Sequence, residues 1–188
     1  MLQIGASTQK INAGRARSID MITTALFELL GTKPFAQIHV IDICERAGVA
    51  RKTFYRNFES KTAVVERLVD QVFFEFMQKF DFAKCGARKV YLYWFEYILC
   101  TREFSLIFFD PDLYEFIVRK IKEFVEAEIS DTLHGSAAFD PALTEYYLNF
   151  AAAGIAAIMR EWMRNDCKTP AKTMAVMTAS LLSGVIIL

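Results

Sequence analysis

Arg51, Lys52, Thr53, Tyr55, Arg56 and Asn57 place three cations, two hydroxyls and an amide within seven residues that contain no acid. If these residues share a helix, Phe54 and Phe58, four apart, form an apolar stripe on one side and leave a cationic surface on the other. A guanidinium bonds guanine O6 and N7 in a bidentate manner, and ammonium and hydroxyl groups bond phosphate oxygens. The chemistry implied is recognition of a polyanion. Arg51 and Lys52, at the helix N-terminal end, are best placed for base edges or phosphates, Thr53 offers a hydroxyl and a methyl, and Arg56 and Asn57 suit either role.

The elements needed to present that surface are legible around it. An apolar-periodic helix over Val40–Ala47 runs into the joint Gly48-Val49-Ala50, and the second helix follows over Arg51–Asn57. Glycine suits a joint that demands positive φ. This is the outline of a helix-turn-helix, whose second helix can enter a DNA major groove. His39, just before the first of these helices, is placed for a helix cap or a phosphate contact. Upstream, residues 15–30 carry Ile19, Ile22, Leu26, Leu29 and Leu30 at helical spacing and stop at Gly31. Thr32-Lys33-Pro34-Phe35 reads as a turn with Phe35 plugging a three-helix core. Residues 1–14 are small and polar without pattern and read as a flexible arm, whose Lys10, with Arg15 and Arg17, is either in reach of phosphates or merely solvated. Ser60 reads as the N-cap of a fourth helix over residues 61–80, with Val64, Val65, Leu68, Val69, Val72, Phe73 and Phe76 on its apolar face.

These residues also carry a resemblance. Ile19, Ala25, Phe27, Leu30, Ile43, Ala47-Gly48-Val49, Thr53-Phe54-Tyr55, Phe58 and Ser60-Lys61 resemble the N-terminal domain of the tetracycline-repressor (TetR) family over residues 15–65. The family usually has Ser or Thr where His39 stands and Ser where Ala50 stands. The resemblance implies DNA binding, with Tyr55 and Lys61 as phosphate clamps. Tyr147, Phe150, Ala153-Gly154-Ile155, Glu161-Trp162 and Thr169-Pro170 resemble, more weakly, the C-terminal domain of regulators of the dihydroxyacetone-kinase-operon type, where Asp166-Cys167 replaces a more usual glycine.

Charge is divided unevenly. Residues 1–62 hold nine Lys/Arg and five acids, and residues 63–188 hold 13 and 17, although the whole chain is neutral. A basic head on an acidic body is thus expected: a helix-turn-helix domain over residues 1–62 (motif about 39–58) and a helical effector-binding and dimerisation domain over residues 63–188. Cys44, Cys85, Cys100 and Cys167 show no CxxC spacing, and His39 and His134 are far apart, so neither zinc nor a disulfide framework is expected. With no secretory signal, a reduced, cytoplasmic setting is the default. Residues 173–188 are uncharged but number only 16, short of the ~20 a membrane-spanning helix needs.

The body reads as helices throughout, giving an all-α fold of about nine. Asp110-Pro111 and Asp140-Pro141 are start signals, an N-cap followed by proline at the first helical position. Residues 146–159 lack any charge and are rich in Ala and Gly, and residues 171–188 are similar. Helices apolar on all sides must be covered on all sides, so residues 141–164 and 171–188 are expected to pair with a second copy in a four-helix bundle. Tyr91, Trp94, Phe95, Phe104, Phe108, Tyr147, Phe150 and Trp162 either pack the core or line a pocket for a small apolar or aromatic effector, with Tyr91, Trp94 and Tyr147 as the candidates. No GxSxG, P-loop or metal-spaced cluster occurs, and Asp110/Asp112 and Glu126/Glu128 read as caps or solvated faces. The chain reads as a homodimeric regulator without a cofactor, most simply a repressor released from a pseudo-palindromic operator by its effector. The alternatives are a ligand- or partner-binding protein of the same fold without DNA regulation, disfavoured by the basic surface, and a small-molecule enzyme, disfavoured by the missing catalytic set.

Overall fold

A computed structural model describes residues 4–78, 86–99, 102–135 and 141–186. Among them the chain forms nine α-helices and no strand: α1 (Ile4–Leu30), α2 (Val40–Ala47), α3 (Arg51–Asn57), α4 (Lys61–Gln78), α5 (Ala87–Leu99), α6 (Arg102–Phe109), α7 (Pro111–Gly135), α8 (Thr144–Arg164) and α9 (Ala171–Ile186). Single 3-10 turns occur at Phe35–Gln37 and Pro141–Leu143. Two compact units result, Met1–Phe74 and Glu75–Leu188. The division falls inside α4, whereas the 62/63 boundary expected from the sequence lies near that helix's start.

In the N-terminal unit α1 packs on α2 and α3. Its core is Ile22, Leu26, Ile38, Ile43 and Phe54, all fully buried, closed by Phe35 and Phe58. Gly48 ends α2 at φ 64°, where an L side chain is strained, and Val49 N–H returns to the Cys44 carbonyl at 3.0 Å. Ser60 Oγ accepts the Ala63 N–H at 3.1 Å and so caps α4, as its sequence position indicates. The arm expected over residues 1–14 is corrected in part: α1 is helical back to Ile4. No proline interrupts residues 4–14, and Ala6, Gln9, Lys10 and Ala13 are good helix formers. Lys10's side chain lies outside the described residues.

In the C-terminal unit α5 runs along α9, and α8 packs against α6, α7 and α9. Asp110 Oδ1 accepts the Asp112 N–H at 3.0 Å, so Asp110 caps α7. The second start signal behaves differently, since Pro141 opens a 3-10 turn and the α-helix begins at Thr144. After α8, Asp166 and Cys167 both take left-handed conformations (φ 54° and 53°). Their N–H groups reach the Met163 and Trp162 carbonyls at 3.0 Å each. Glycine adopts this geometry without penalty. Trp162 Nε1 donates to the Thr169 carbonyl at 2.7 Å, tying the end of α8 to the start of α9.

Candidate nucleic-acid interface

The second helix of the motif, α3, buries one side chain, Phe54, whose ring meets Tyr55 edge-on at 5.4 Å and Phe58 at 5.9 Å. That contact turns the rest of the helix outward. Arg51, Lys52, Tyr55 and Arg56 are exposed, and Thr53 and Asn57 half-buried. The Arg51 guanidinium lies over the Tyr55 ring at 5.9 Å, so the two side chains form one amphipathic edge. His39 is the exposed N-cap residue of α2. The family's hydroxyl is absent there, but the Asp42 carboxylate accepts the His39 N–H at 2.8 Å. Lys33 Nζ donates to the same Asp42 oxygen at 2.7 Å, and this bond, with the His39 N–H, holds the Asp42 carboxyl below its ordinary pKa. An acid three residues after the N-cap is a signal readable in the sequence. Ala50, by contrast, gives α3 no side-chain cap.

Cations of this unit divide into two sets. Lys33 pairs with Asp42, Arg46 with Glu28, and Lys61 Nζ donates to the Phe35 and Ile38 carbonyls at 2.6 and 2.8 Å while lying 4.3 Å from the Phe35 ring centre. Among the described residues, Arg17, Arg51, Lys52 and Arg56 have no carboxylate partner, nor has Arg67 on α4, and Arg15 meets only the amide oxygen of Asn57. Three of these uncompensated cations stand on α3. The interface therefore offers exposed positive charge uncompensated by carboxylates, the arrangement that displaces counterions from a phosphate backbone.

Comparison with known proteins agrees with this geometry. Residues 22–68 match the model of bacterial regulatory proteins of the tetR family, and residues 87–184, more than half of the chain, match a transcriptional regulator C-terminal region. The chain belongs to the TetR family of transcriptional regulators. It is 45% identical over 58 residues to the HTH-type transcriptional regulator EthR of Mycolicibacterium smegmatis, a match covering 31% of this chain and 26% of that protein. EthR of Mycobacterium tuberculosis is 42% identical over 60 residues. The match thus spans about a quarter of the curated relatives. Among solved structures, the dihydroxyacetone kinase operon activator DhaS superposes with TM-score 0.60 at 22% identity, covering 90% of this chain and 96% of DhaS. A TetR transcriptional regulator from Streptococcus agalactiae superposes with TM-score 0.70 at 15% identity, covering 93% and 98%. These two likenesses concern the fold. The relatives and the family are regulators and not enzymes.

Two site residues of this TetR-family regulator have internal partners that the sequence did not reveal. Lys61's ammonium is engaged by backbone carbonyls, and Asn57 Nδ2 donates to the Thr53 carbonyl at 2.8 Å. Lys61→Ala is accordingly expected to destabilise the N-terminal unit by roughly 1–3 kcal/mol, since it strips a charged donor from half-buried carbonyls. Thermal unfolding followed by circular dichroism checks this, and an unchanged midpoint with weakened DNA binding would restore Lys61 to a purely phosphate-binding role.

Of the aromatic candidates of the body, Trp94 and Tyr147 sit at different levels of α8. Tyr91, Trp94 and Tyr147 are all buried. Trp94 Nε1 donates to Met159 Sδ at 3.1 Å, and its ring packs on Phe76 (4.8 Å), Phe124 (6.1 Å) and Tyr97 (6.4 Å). Tyr147 lies twelve residues before Met159 on α8, about 18 Å along the axis, so Trp94 and Tyr147 do not face one spot. Burial raises the Tyr147 pKa. Phe95 and Trp162 meet edge-on at 5.0 Å as core, and Phe108 is buried. Phe150 is 57% exposed. Phe104's side chain lies outside the described residues, as do the side chains of Glu128 and His134 and residues Cys85 and Cys100. Cys44 is buried within the motif, and burial raises its thiol pKa. Among the described residues no His, Cys, Asp and Glu group could hold a metal, and no helix is long and apolar enough to cross a membrane.

Proposed function

We propose that this regulator works as a homodimer, each subunit placing α3 in a major groove of a pseudo-palindromic operator, with half-sites about one helical turn or a multiple apart. One observation carries the reading. Leu143, Tyr146 (75% exposed), Phe150, Ala153 and Ala157 stand in the open at spacings of three and four, and Val176, Met177 and Leu181 are exposed on α9. An uncharged stretch such as 146–159 or 173–186 that its own chain covers on one side only fits half of an interface. Small residues at 153 and 157 let a partner helix approach closely. Base-reading contacts are assigned to Arg51 and Lys52, with Thr53 next to them, and backbone contacts to Tyr55, Arg56 and His39.

Repression with effector release is the mode we assign. A small apolar or aromatic molecule would separate the aromatic helices around Trp94 and shift α4, which continues from one unit into the other, selecting a conformer whose heads no longer match the operator. Tryptophan emission during ligand titration is the readout for that step.

The dimer is tested by sedimentation velocity. The parent protein is expected to sediment as a dimer at micromolar concentration, and Tyr146→Asp/Phe150→Asp as a folded monomer that has lost tight binding to a two-half-site duplex. A monomeric parent protein would overturn the proposal.

A further inference from the structure

Asn57 does more than end the recognition helix. Its Nδ2 is held by the Thr53 carbonyl at 2.8 Å, which fixes the amide plane and directs Oδ1 away from the helix. That oxygen accepts the Arg15 Nε at 3.3 Å, across 42 residues of sequence. Arg15 is exposed, and among the described residues no carboxylate neutralises it. A guanidinium bound through Nε keeps its two terminal nitrogens, which carry the remaining four donors, directed outward. It stands at the C-terminal end of α3, the helix that carries the unpaired cations Arg51, Lys52 and Arg56 proposed as DNA contacts. An amide already committed to two internal bonds is a poor reader of base edges, since each base contact would break one of them.

We propose that Arg15 is a phosphate contact of this regulator and that Asn57 is its positioning residue, so that the DNA footprint extends from α3 onto α1. The inference rests on docking through α3. It assigns Asn57 to orientation and moves the specificity readers to the other end of the helix. Arg17, two residues on, lies about 200° round α1 and has no such bracket.

The test is fluorescence anisotropy over a salt series with two probes, a duplex recovered by selection from random sequence and a mixed-sequence duplex of equal length. Arg15→Ala is expected to reduce the slope of log affinity against log salt by about 0.9 and to weaken both probes equally, with an unchanged thermal midpoint. Arg15→Lys restores the slope. Asn57→Ala weakens both probes equally, by less than Arg15→Ala does, and the double variant is no weaker than Arg15→Ala alone, because the two act through one contact. Arg17→Ala keeps the parent slope. A parent-like slope in Arg15→Ala, additive losses in the double variant, a narrowed gap between the probes in Asn57→Ala, or an equal loss in Arg17→Ala each overturn the proposal. Failure of the parent protein to bind either duplex at low salt would instead remove the docking reading itself, and the parent arm alone shows it.

Discussion

Phe54→Ala is expected to unfold the N-terminal unit while the C-terminal unit stays folded. Phe54 is fully buried and is the one side chain by which the seven-residue α3 is anchored. A helix that short has no stability of its own in water. Phe→Ala in a packed core costs about 3–5 kcal/mol, against about 5–15 kcal/mol for a whole domain. Hydrogen exchange should show amides of α2 and α3 losing protection, DNA binding should vanish, and the sedimentation of the dimer should persist. Phe54→Leu, which keeps most of the volume, should retain both fold and binding with a lowered midpoint. Parent-like exchange and DNA affinity in Phe54→Ala would show that the α3 anchor lies elsewhere.

The second large effect concerns sequence preference. Arg51→Ala/Lys52→Ala is expected to lower the salt slope by about 1.8 and to collapse the affinity gap between a selected duplex and a mixed-sequence one, since each good base contact discriminates by about 1–3 kcal/mol. Tyr55 provides the internal control. Tyr55→Phe keeps the ring on which Arg51 rests and removes only the hydroxyl, so both probes should weaken alike. Tyr55→Ala also frees Arg51 from its 5.9 Å stacking contact, and should lose preference as well. Competition anisotropy measures both quantities at once. A double variant that still prefers the selected duplex would place the base readers outside the first turn of α3.

The charge division found in the structure is the reason these variants are expected to differ from Lys61→Ala. All three residues are basic and close in sequence, yet Lys61 answers carbonyls of the turn at 35–38 while Arg51 and Lys52 face solvent. Composition counts each as one positive charge. Only the fold decides whether that charge is available to DNA.

The helix-turn-helix itself was legible because its signals are local. Val40–Ala47 and Arg51–Asn57 end where Gly48 and Phe58 leave helical geometry, and the Phe54/Phe58 spacing names the buried side. Asp110 before Pro111 caps α7 for the same local reason. The extension of α1 to Ile4 was missed because helix-forming residues without an apolar stripe carry no periodic signal. Within α8 residues 146–159 carry no charge on any face, so spacing alone does not say which side stays open; packing on α6, α7 and α9 leaves Tyr146 and Phe150 outside. The body's aromatics posed the same problem, since core and pocket use identical residues.

What the amino-acid order by itself determined is a set of short-range facts: where helices begin and stop, which side of α3 is greasy, and that the first third of the chain is basic. Tertiary structure alone decided which cations stay unpaired, that Asn57 holds Arg15, and which stripe of α8 faces outward. Those outcomes depend on partners 9 to 42 residues away, and neither periodicity nor composition encodes a distance through space.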